Sequence, residues 1–203
     1  MSLLPNHIVI IARHYPPLIS GGGRRVFLWV KTLRSMGIRV SVVAPIVSDG
    51  NEGISVSHPQ PEPDLISQAD EKPSAKDFLR TWLLYPDNDV NWCRRAARAA
   101  RREWPEGVDW VITTSPPESV HVAGRYLQKH LKCKWHADIR DFWLEHPLIK
   151  VRRNPLRRWI EAKIAKQLLS KADVITAVSP DMRVEASDFS HQSIAFILSL
   201  IYI

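Results

Sequence analysis

Short apolar strands alternate with amphipathic helices along this sequence, and this alternation constrains the fold more than any other feature. Residues 7–12 (HIVIIA) and 38–45 (IRVSVVAP) are β-branched runs typical of parallel strands covered on both faces. A glycine-rich turn and a helix ending at Gly37 separate them, so they predict a right-handed βαβ unit. The apolar residues of this helix recur at helical spacing: Val26, Phe27, Val30, Leu33 and Met36.

The alternation continues along the rest of the chain. Further strands are predicted at residues 108–113, in the segment KWHADIRDFW ending near Asp138, at residues 173–180 and in the final run IAFILSLIYI. Helices are predicted at residues 91–104, after Ser115-Pro116-Pro117, in NPLRRWIEAKIAKQLLSKA and in DMRVEASDF. The third of these carries one apolar stripe: Leu156, Ile160, Ile164 and Leu168. The pattern predicts an α/β fold, with a doubly wound parallel sheet in three α/β/α layers.

Composition narrows the function classes. The chain of 203 residues has the size of one domain, and its net charge of +7 favours polyanionic partners, although a basic cytosolic protein is an equal interpretation. Its two cysteines, Cys93 and Cys133, provide neither a disulfide framework nor metal-ligand spacing, so no metal site is predicted. The sequence contains neither a secretory signal nor a run of about 20 apolar residues, and a cytoplasmic location is expected.

Two internal segments depart from the regular pattern. Residues 57–76 are polar and rich in proline, and they predict a mobile excursion from the fold. Residues 77–104 predict a helical insertion.

The glycine triplet at residues 21–23 lies between the first strand and the first helix, where an open parallel sheet binds its ligands. Glycines allow close approach of the backbone, and a helix start with Arg24 and Arg25 favours phosphate. We expect residues 16–23 to be a mobile loop with positive φ at one or more glycines. The pattern is neither GxGxxG nor a P-loop, and no acidic residue ends the second strand, which disfavours NAD. The alternative is a flexible turn with incidental arginines.

Four segments in order resemble the N-terminal half of the family 4 retaining glycosyltransferases, which have the GT-B fold. They are YPPLISGGGRRVFLWVKTLRSMGIRVSVVAP, DWVITTSPPESVHVAGRYLQ, WHADIRDFW with its D-x-R-D-x-W pattern, and KADVITAVSPDMRVEA. The resemblance covers roughly residues 7 to 190.

This resemblance implies a Rossmann-like acceptor-side domain at residues 1–190, followed at 191–203 by a truncated start of the interdomain region. The family moves a hexose from a nucleotide-sugar to a glycan or lipid-linked acceptor, often in cell-surface polysaccharide synthesis, without a metal or other cofactor. Its donor-side signature, two glutamates separated by seven residues, does not occur in this sequence. The chain alone is therefore expected to be inactive.

Two groups of residues are the leading site candidates. Gly21, Gly22, Gly23 and Arg24 are expected to stabilise the donor diphosphate electrostatically. Asp138, Arg140 and Asp141 lie at a strand end, where a carboxylate can position or deprotonate an acceptor hydroxyl. The alternative for the second group is an internal salt bridge between Arg140 and an aspartate.

A third group follows the strand at 108–113. Ser115, Pro116 and Glu118 are expected to line the acceptor cleft, and His121 lies one helical turn beyond Glu118. His121 is assigned as a neutral donor to a sugar hydroxyl, with a surface or core histidine as the alternative, and His136 is assigned to packing.

Arginines cluster on the predicted helix at 91–104, where Arg94, Arg98, Arg101 and Arg102 share one face. Together with nearby tryptophans, among eight in the chain, they suit peripheral contact with an anionic membrane at its inner face. The alternative is a solvated helix face with buried indoles, and nucleic-acid binding is not favoured because no recognised module accompanies the charges. Two rival functions stay open: another Rossmann-like nucleotide-binding enzyme, and a non-catalytic basic module that docks on membrane or nucleic acid.

Overall fold

The computed structural model describes residues 4–17, 21–47, 52–58, 86–144, 155–190 and 194–196. Within them, seven parallel strands form one sheet in the order β3-β2-β1-β4-β5-β6-β7. The strands are β1 (His7–Ala12), β2 (Arg39–Ala44), β3 (Gly53–Ser55), β4 (Trp110–Thr114), β5 (Lys134–Ile139), β6 (Val174–Ala177) and β7 (Ile194–Phe196). The predicted fold class is confirmed, and the short edge strand β3 is an addition that the sequence did not predict.

Five helices in the described residues cover the two faces of this sheet. They are α1 (Gly21–Ser35), α2 (Val90–Glu103), α3 (Val120–Leu131), α4 (Pro155–Leu169) and α5 (Pro180–Phe189). Alternate residues of β1 point to opposite faces, so Ile8 and Ile10 pack with α1 while Val9 and Ile11 pack with α2 and α3. Strand order reverses between β1 and β4, so the crevice that binds ligands in such sheets lies at their carboxyl ends.

Two predicted helix stripes differ from the observed ones. In α1, Val26 and Val30 are buried, but Phe27 is 42% exposed because it lies off the line that faces the sheet. Met36 follows the last residue of α1 and is 51% exposed. In α4, the buried residues are Glu161, Ala165 and Leu169, and Leu156 is exposed. Helix α3 begins at Val120, later than the prolines suggested. Gly37 ends α1 with a φ of 81°, as the sequence predicted.

Several predicted segments fall partly outside the described residues. Most of the excursion at 57–76 and the first part of the insertion at 77–104 lie there, as do most of residues 191–203. The part of the insertion that is described, α2, buries Trp92, Cys93 and Ala96 in the main core. Within the described ranges, no helix is both long enough and apolar enough to cross a membrane.

Candidate functional site

The glycine triplet forms the first turn of α1 instead of a loop. Gly21, Gly22 and Gly23 are all helical, and none has positive φ. The expectation of a left-handed glycine in this segment is therefore wrong, while residues 18–20 lie outside the described part of the chain. Because the first four N–H groups of a helix have no intrahelical acceptor, this turn presents donors and a positive dipole end at the carboxyl edge of the sheet.

Arg140 approaches Gly22 closely. A Cβ atom at this position would overlap the end of the Arg140 guanidinium, which would have to shift. The Arg140 Nε atom donates to the carbonyl oxygen of Ser115 at 2.6 Å, which holds the guanidinium between the ends of β4 and α1. Burial is the main cause that lowers the pKa of Arg140. A cation thus joins the N-terminus of α1 at the switch point, and Arg24 stands exposed beside it.

Asp138 is a buried anchor, which contradicts its assignment as a catalytic carboxylate. Its side chain has no exposed surface. Oδ1 accepts from Nη2 of Arg25 at 3.1 Å and from the Thr176 hydroxyl at 2.8 Å, and Oδ2 accepts from the Thr114 hydroxyl at 2.8 Å. An acceptor hydroxyl therefore cannot reach it in this arrangement. The salt bridge of Asp138 is made with Arg25, 3.1 Å away.

Arg25 connects this buried pair to a stack of rings beneath α1. Its guanidinium lies 4.7 Å from the centre of the Trp29 ring, and Trp29 stacks on His136 at 6.1 Å. His136 shares a hydrogen bond with the Thr176 hydroxyl, and burial is the main cause that lowers its pKa. The arrangement fixes the first turn of α1 over the carboxyl ends of β4, β5 and β6.

His121 lies in the core and does not face the cleft, so that part of its assignment is wrong. It is fully buried, its Nδ1 atom pairs with the Thr113 hydroxyl at 2.9 Å, and its ring stacks on Trp143 at 5.9 Å. No hydrogen-bond partner for Nε2 occurs among the described residues. Burial lowers the pKa of His121 to about 3, so the ring is neutral over the physiological range.

The other predicted cleft residues gather at the same edge. Ser115 is buried, and its N–H donates to the carbonyl oxygen of Asp138 at 3.0 Å. Pro116, Glu118 and Asp141 are half-buried around it. Among the predicted carboxylates, Glu118 and Asp141 are therefore the two that retain access to solvent.

Sequence reasoning missed the partners that shape the site. Arg25 was not among the predicted site residues, and Thr114 and Thr176 carried no signal, because their shared partner Asp138 is distant in the chain. A second polar cluster was also missed at the ends of β1 and β3, where Arg13 and His58 contact Asp89. The aspartates before α2 are a detectable helix-start signal, but nothing local shows what they contact.

The basic face predicted on α2 is present, but the tryptophans expected beside it are buried in the core. Arg94, Arg98, Arg101 and Arg102 are all exposed. Trp92 and Trp104 are buried, so this surface offers cations without an aromatic anchor, contrary to the expectation. Among the tryptophans in the described ranges, Trp159 on α4 is exposed, with 61% of its surface accessible.

No group of three or more His, Cys, Asp or Glu side chains that could hold a metal ion occurs in the described ranges. Cys93 and Cys133 are free and buried, and burial raises the pKa of both thiols. Neither thiol is therefore a ready nucleophile.

Most of the chain matches a known protein family. Residues 20–191 match the family described as the glycosyl transferase 4-like domain, so the match spans most of the chain and includes α1 through α5. No curated protein matches the chain.

Proposed function

The chain belongs to the glycosyl transferase 4-like family, and we propose that it is the acceptor-side domain of an enzyme that moves a hexose from a nucleotide-sugar, with retention, to a glycan or lipid-linked acceptor. Synthesis of a cell-surface polysaccharide is the process that this chemistry would serve. The observation that carries the proposal is the first turn of α1, where Gly22 packs against Arg140 at the switch point of the sheet.

The chemistry of this place suits a diphosphate leaving group. When a nucleotide-sugar loses its sugar, negative charge develops on the diphosphate, and fixed N–H groups and cations lower the barrier by stabilising that charge. The N-terminus of α1, the Arg140 guanidinium and Arg24 supply these groups without a metal ion. The buried Arg25–Asp138 pair holds the turn in place beneath them.

The acceptor would lie on the same edge, where Glu118 and Asp141 are the accessible carboxylates for positioning its hydroxyl. The donor-side pair of glutamates does not occur in this sequence. Retaining transfer needs the donor held against the acceptor within contact distance, and for this reason we propose that the chain by itself transfers no sugar.

Replacing Gly22 with alanine is expected to weaken the binding of a nucleoside diphosphate about tenfold, because the new methyl group must displace the Arg140 guanidinium. Arg24→Gln should weaken binding by a similar factor through loss of one charge. Isothermal titration of the chain with UDP, GDP and ADP measures both effects. Helix stability should not fall in Gly22→Ala, because alanine favours a helix by roughly 1 kcal/mol over glycine.

The matched control is Lys31→Gln. Lys31 is exposed on α1, seven residues and about two turns beyond Arg24, so this variant removes the same charge from the same helix away from its N-terminus. Equal loss of affinity in Arg24→Gln and Lys31→Gln would contradict a specific site. Tighter binding of NAD than of any nucleoside diphosphate would favour the rival nucleotide-binding enzyme.

We also propose that the arginine face of α2 contacts an anionic membrane peripherally. Each cation near an acidic bilayer contributes about 1 kcal/mol, so changing Arg94, Arg98 and Arg101 together to Gln should weaken binding to acidic vesicles about a hundredfold. Co-sedimentation with acidic and neutral vesicles at low and high salt measures this, and salt should screen the attraction. Since Trp92 and Trp104 are buried, we expect no binding to neutral vesicles through this face.

A second triple variant with the same change in net charge is the control. Lys31, Lys166 and Lys171 are exposed at separate places, and changing them to Gln should reduce vesicle binding far less. If both triple variants lose binding equally, the attraction comes from net charge alone, and the α2 face is an ordinary solvated surface.

A further inference from the structure

A second polar cluster lies at the carboxyl edge of the sheet, on the α2 side of the crevice. Arg13, which follows β1, donates from Nε to Oδ2 of Asp89 at 3.3 Å. His58, which follows β3, lies 2.7 Å from Oδ1 of Asp89 through its Nε2 atom. We name these three residues the Asp89 cluster. The cluster connects the segments after β1 and β3 to the start of α2. It lies outside both the proposed diphosphate site and the hydrophobic core.

The hydrogen-bond roles within the Asp89 cluster are fixed by chemistry. An arginine can only donate, so the Arg13 Nη2 atom, 3.2 Å from Nδ1 of His58, donates to that nitrogen. Nε2 of His58 then carries the proton and donates to Asp89. His58 is thereby a positioning residue, because Nε2 donates to the carboxylate while Nδ1 accepts from Arg13.

Asp89 is the N-cap residue of α2, but its side chain makes no capping hydrogen bond. An aspartate at this position ordinarily accepts from backbone N–H groups of the first turn. Here the carboxylate turns away from the helix toward Arg13 and His58. The helix loses a cap, so the orientation of this carboxylate is not explained by the stability of α2.

The segment that carries Asp89 is held firmly in place. Oδ1 of Asp87 accepts from the Asp89 N–H at 2.8 Å and from the Ser119 hydroxyl at 2.7 Å, and Oδ2 accepts from the Ser119 N–H at 2.7 Å. Residues 87–89 are therefore bound to the start of α3, beside the Ser115-Pro116-Pro117 segment. A site built this way holds its carboxylate in one geometry.

The Asp89 carboxylate retains capacity to bind a ligand. A carboxylate offers about four acceptor positions, and within the described part of the chain Arg13 and His58 occupy two of them. The side chain is 22% exposed, whereas that of Arg13 is 6% exposed. Asp89 is held by a cation, has acceptor positions that the described residues do not use, and reaches solvent. Such a carboxylate is suited to accept hydrogen bonds from hydroxyl groups.

We propose that Asp89 binds a hydroxyl of the sugar acceptor, with Arg13 and His58 as positioning residues. This inference rests on the proposed function and assigns the two sides of the crevice: diphosphate on the α1 side, beside Arg140, and acceptor hydroxyls on the α2 side. Residue 13 points to the face of α2, and residue 140 to that of α1, so the two proposed positions lie on opposite sides of the sheet at its carboxyl edge.

The test is a titration of the isotope-labelled chain with glucose, galactose, mannose and N-acetylglucosamine, followed by amide chemical shifts. We expect at least one of these sugars to shift the amides of Arg13, His58 and Asp89 in a saturable way. Asp89→Asn, which keeps the shape but removes the charge, should weaken that binding about tenfold. His58→Gln, which keeps a donor to Asp89, should retain more affinity than His58→Ala.

Asp181→Asn is the matched control, because Asp181 is an exposed aspartate in the first turn of α5, at the same edge of the sheet. It should leave sugar binding unchanged. The proposal is overturned if no sugar shifts the cluster in the unaltered chain, or if Asp89→Asn binds as tightly as the Asp181→Asn control. In either case, a nucleoside diphosphate would still shift the amide signals of residues 21–24 if the proposed function is correct. Failure of the acceptor proposal can therefore be distinguished from failure of the proposed function.

Discussion

Replacing Asp138 with alanine is expected to lower the free energy of unfolding by about 3–5 kcal/mol, because the buried Arg25 cation loses its counter-ion. Arg25 is only 5% exposed and its guanidinium packs on the Trp29 ring, so the cation cannot be rehydrated unless α1 moves. The hydroxyls of Thr114 and Thr176 also lose their acceptor. Urea denaturation of the two proteins measures the difference. A loss of this size is a large part of the stability of an ordinary domain.

The control for Asp138→Ala is a surface pair. Arg39 and Glu52 are 58% and 40% exposed, and Arg39→Ala should cost less than about 1 kcal/mol. The double variant Arg25→Met with Asp138→Asn removes both charges, and it should be more stable than the sum of the two single changes predicts. If Asp138→Ala costs no more than Arg39→Ala, the pair does not hold α1 to the sheet.

His121 is expected to make the protein acid-sensitive. In the unfolded chain its pKa is near 6.5, whereas burial lowers the pKa of the folded-state ring to about 3. The unfolded state therefore binds a proton below about pH 6.5 that the folded state does not, and stability falls by roughly 1.4 kcal/mol for each pH unit from there to about pH 3. Burial also lowers the pKa values of His7 and His136, which adds to the slope in the same direction.

His121→Asn isolates this contribution, because the amide reaches the Thr113 hydroxyl from the position of Nδ1 but does not titrate. The unfolding free energy of this variant, measured from about pH 7 to about pH 4, should depend on pH less steeply than that of the unaltered chain by up to one proton. His130→Asn makes the same substitution on the exposed side of the same helix and is the control for the change of side chain itself. A slope for His121→Asn identical to that of the unaltered chain would contradict a lowered pKa of His121 in the folded state.

The sequence predicted the strands well because a parallel strand buried on both faces is a continuous apolar run. Residues 7–12 match β1, and Asp138 was correctly placed at the end of β5. The glycine triplet was misassigned because three glycines favour a turn on local propensity, whereas the structure places them in the first turn of α1 with Arg140 packed over Gly22.

The partners within the site have no local signal. Arg25 and Asp138 meet across 113 residues of sequence, and Arg13 and Asp89 meet across 76. Charge and spacing alone could not separate a buried anchor such as Asp138 from an accessible carboxylate such as Asp141. His121 was open to two interpretations for the same reason, and its burial against Trp135 and Trp143 depends on the packing of α3 against β5.

Mapping nucleoside diphosphates on the labelled chain by amide chemical shifts tests the central claim most directly. The proposed function predicts weak, saturable shifts from UDP, GDP or ADP at the amides of residues 21–24 and at the Arg140 side chain. It also predicts that Gly22→Ala and Arg24→Gln reduce these shifts while Lys31→Gln does not. Shifts confined to other surfaces, or none at millimolar diphosphate, would contradict the assignment of the first turn of α1 as the site that stabilises the leaving nucleotide.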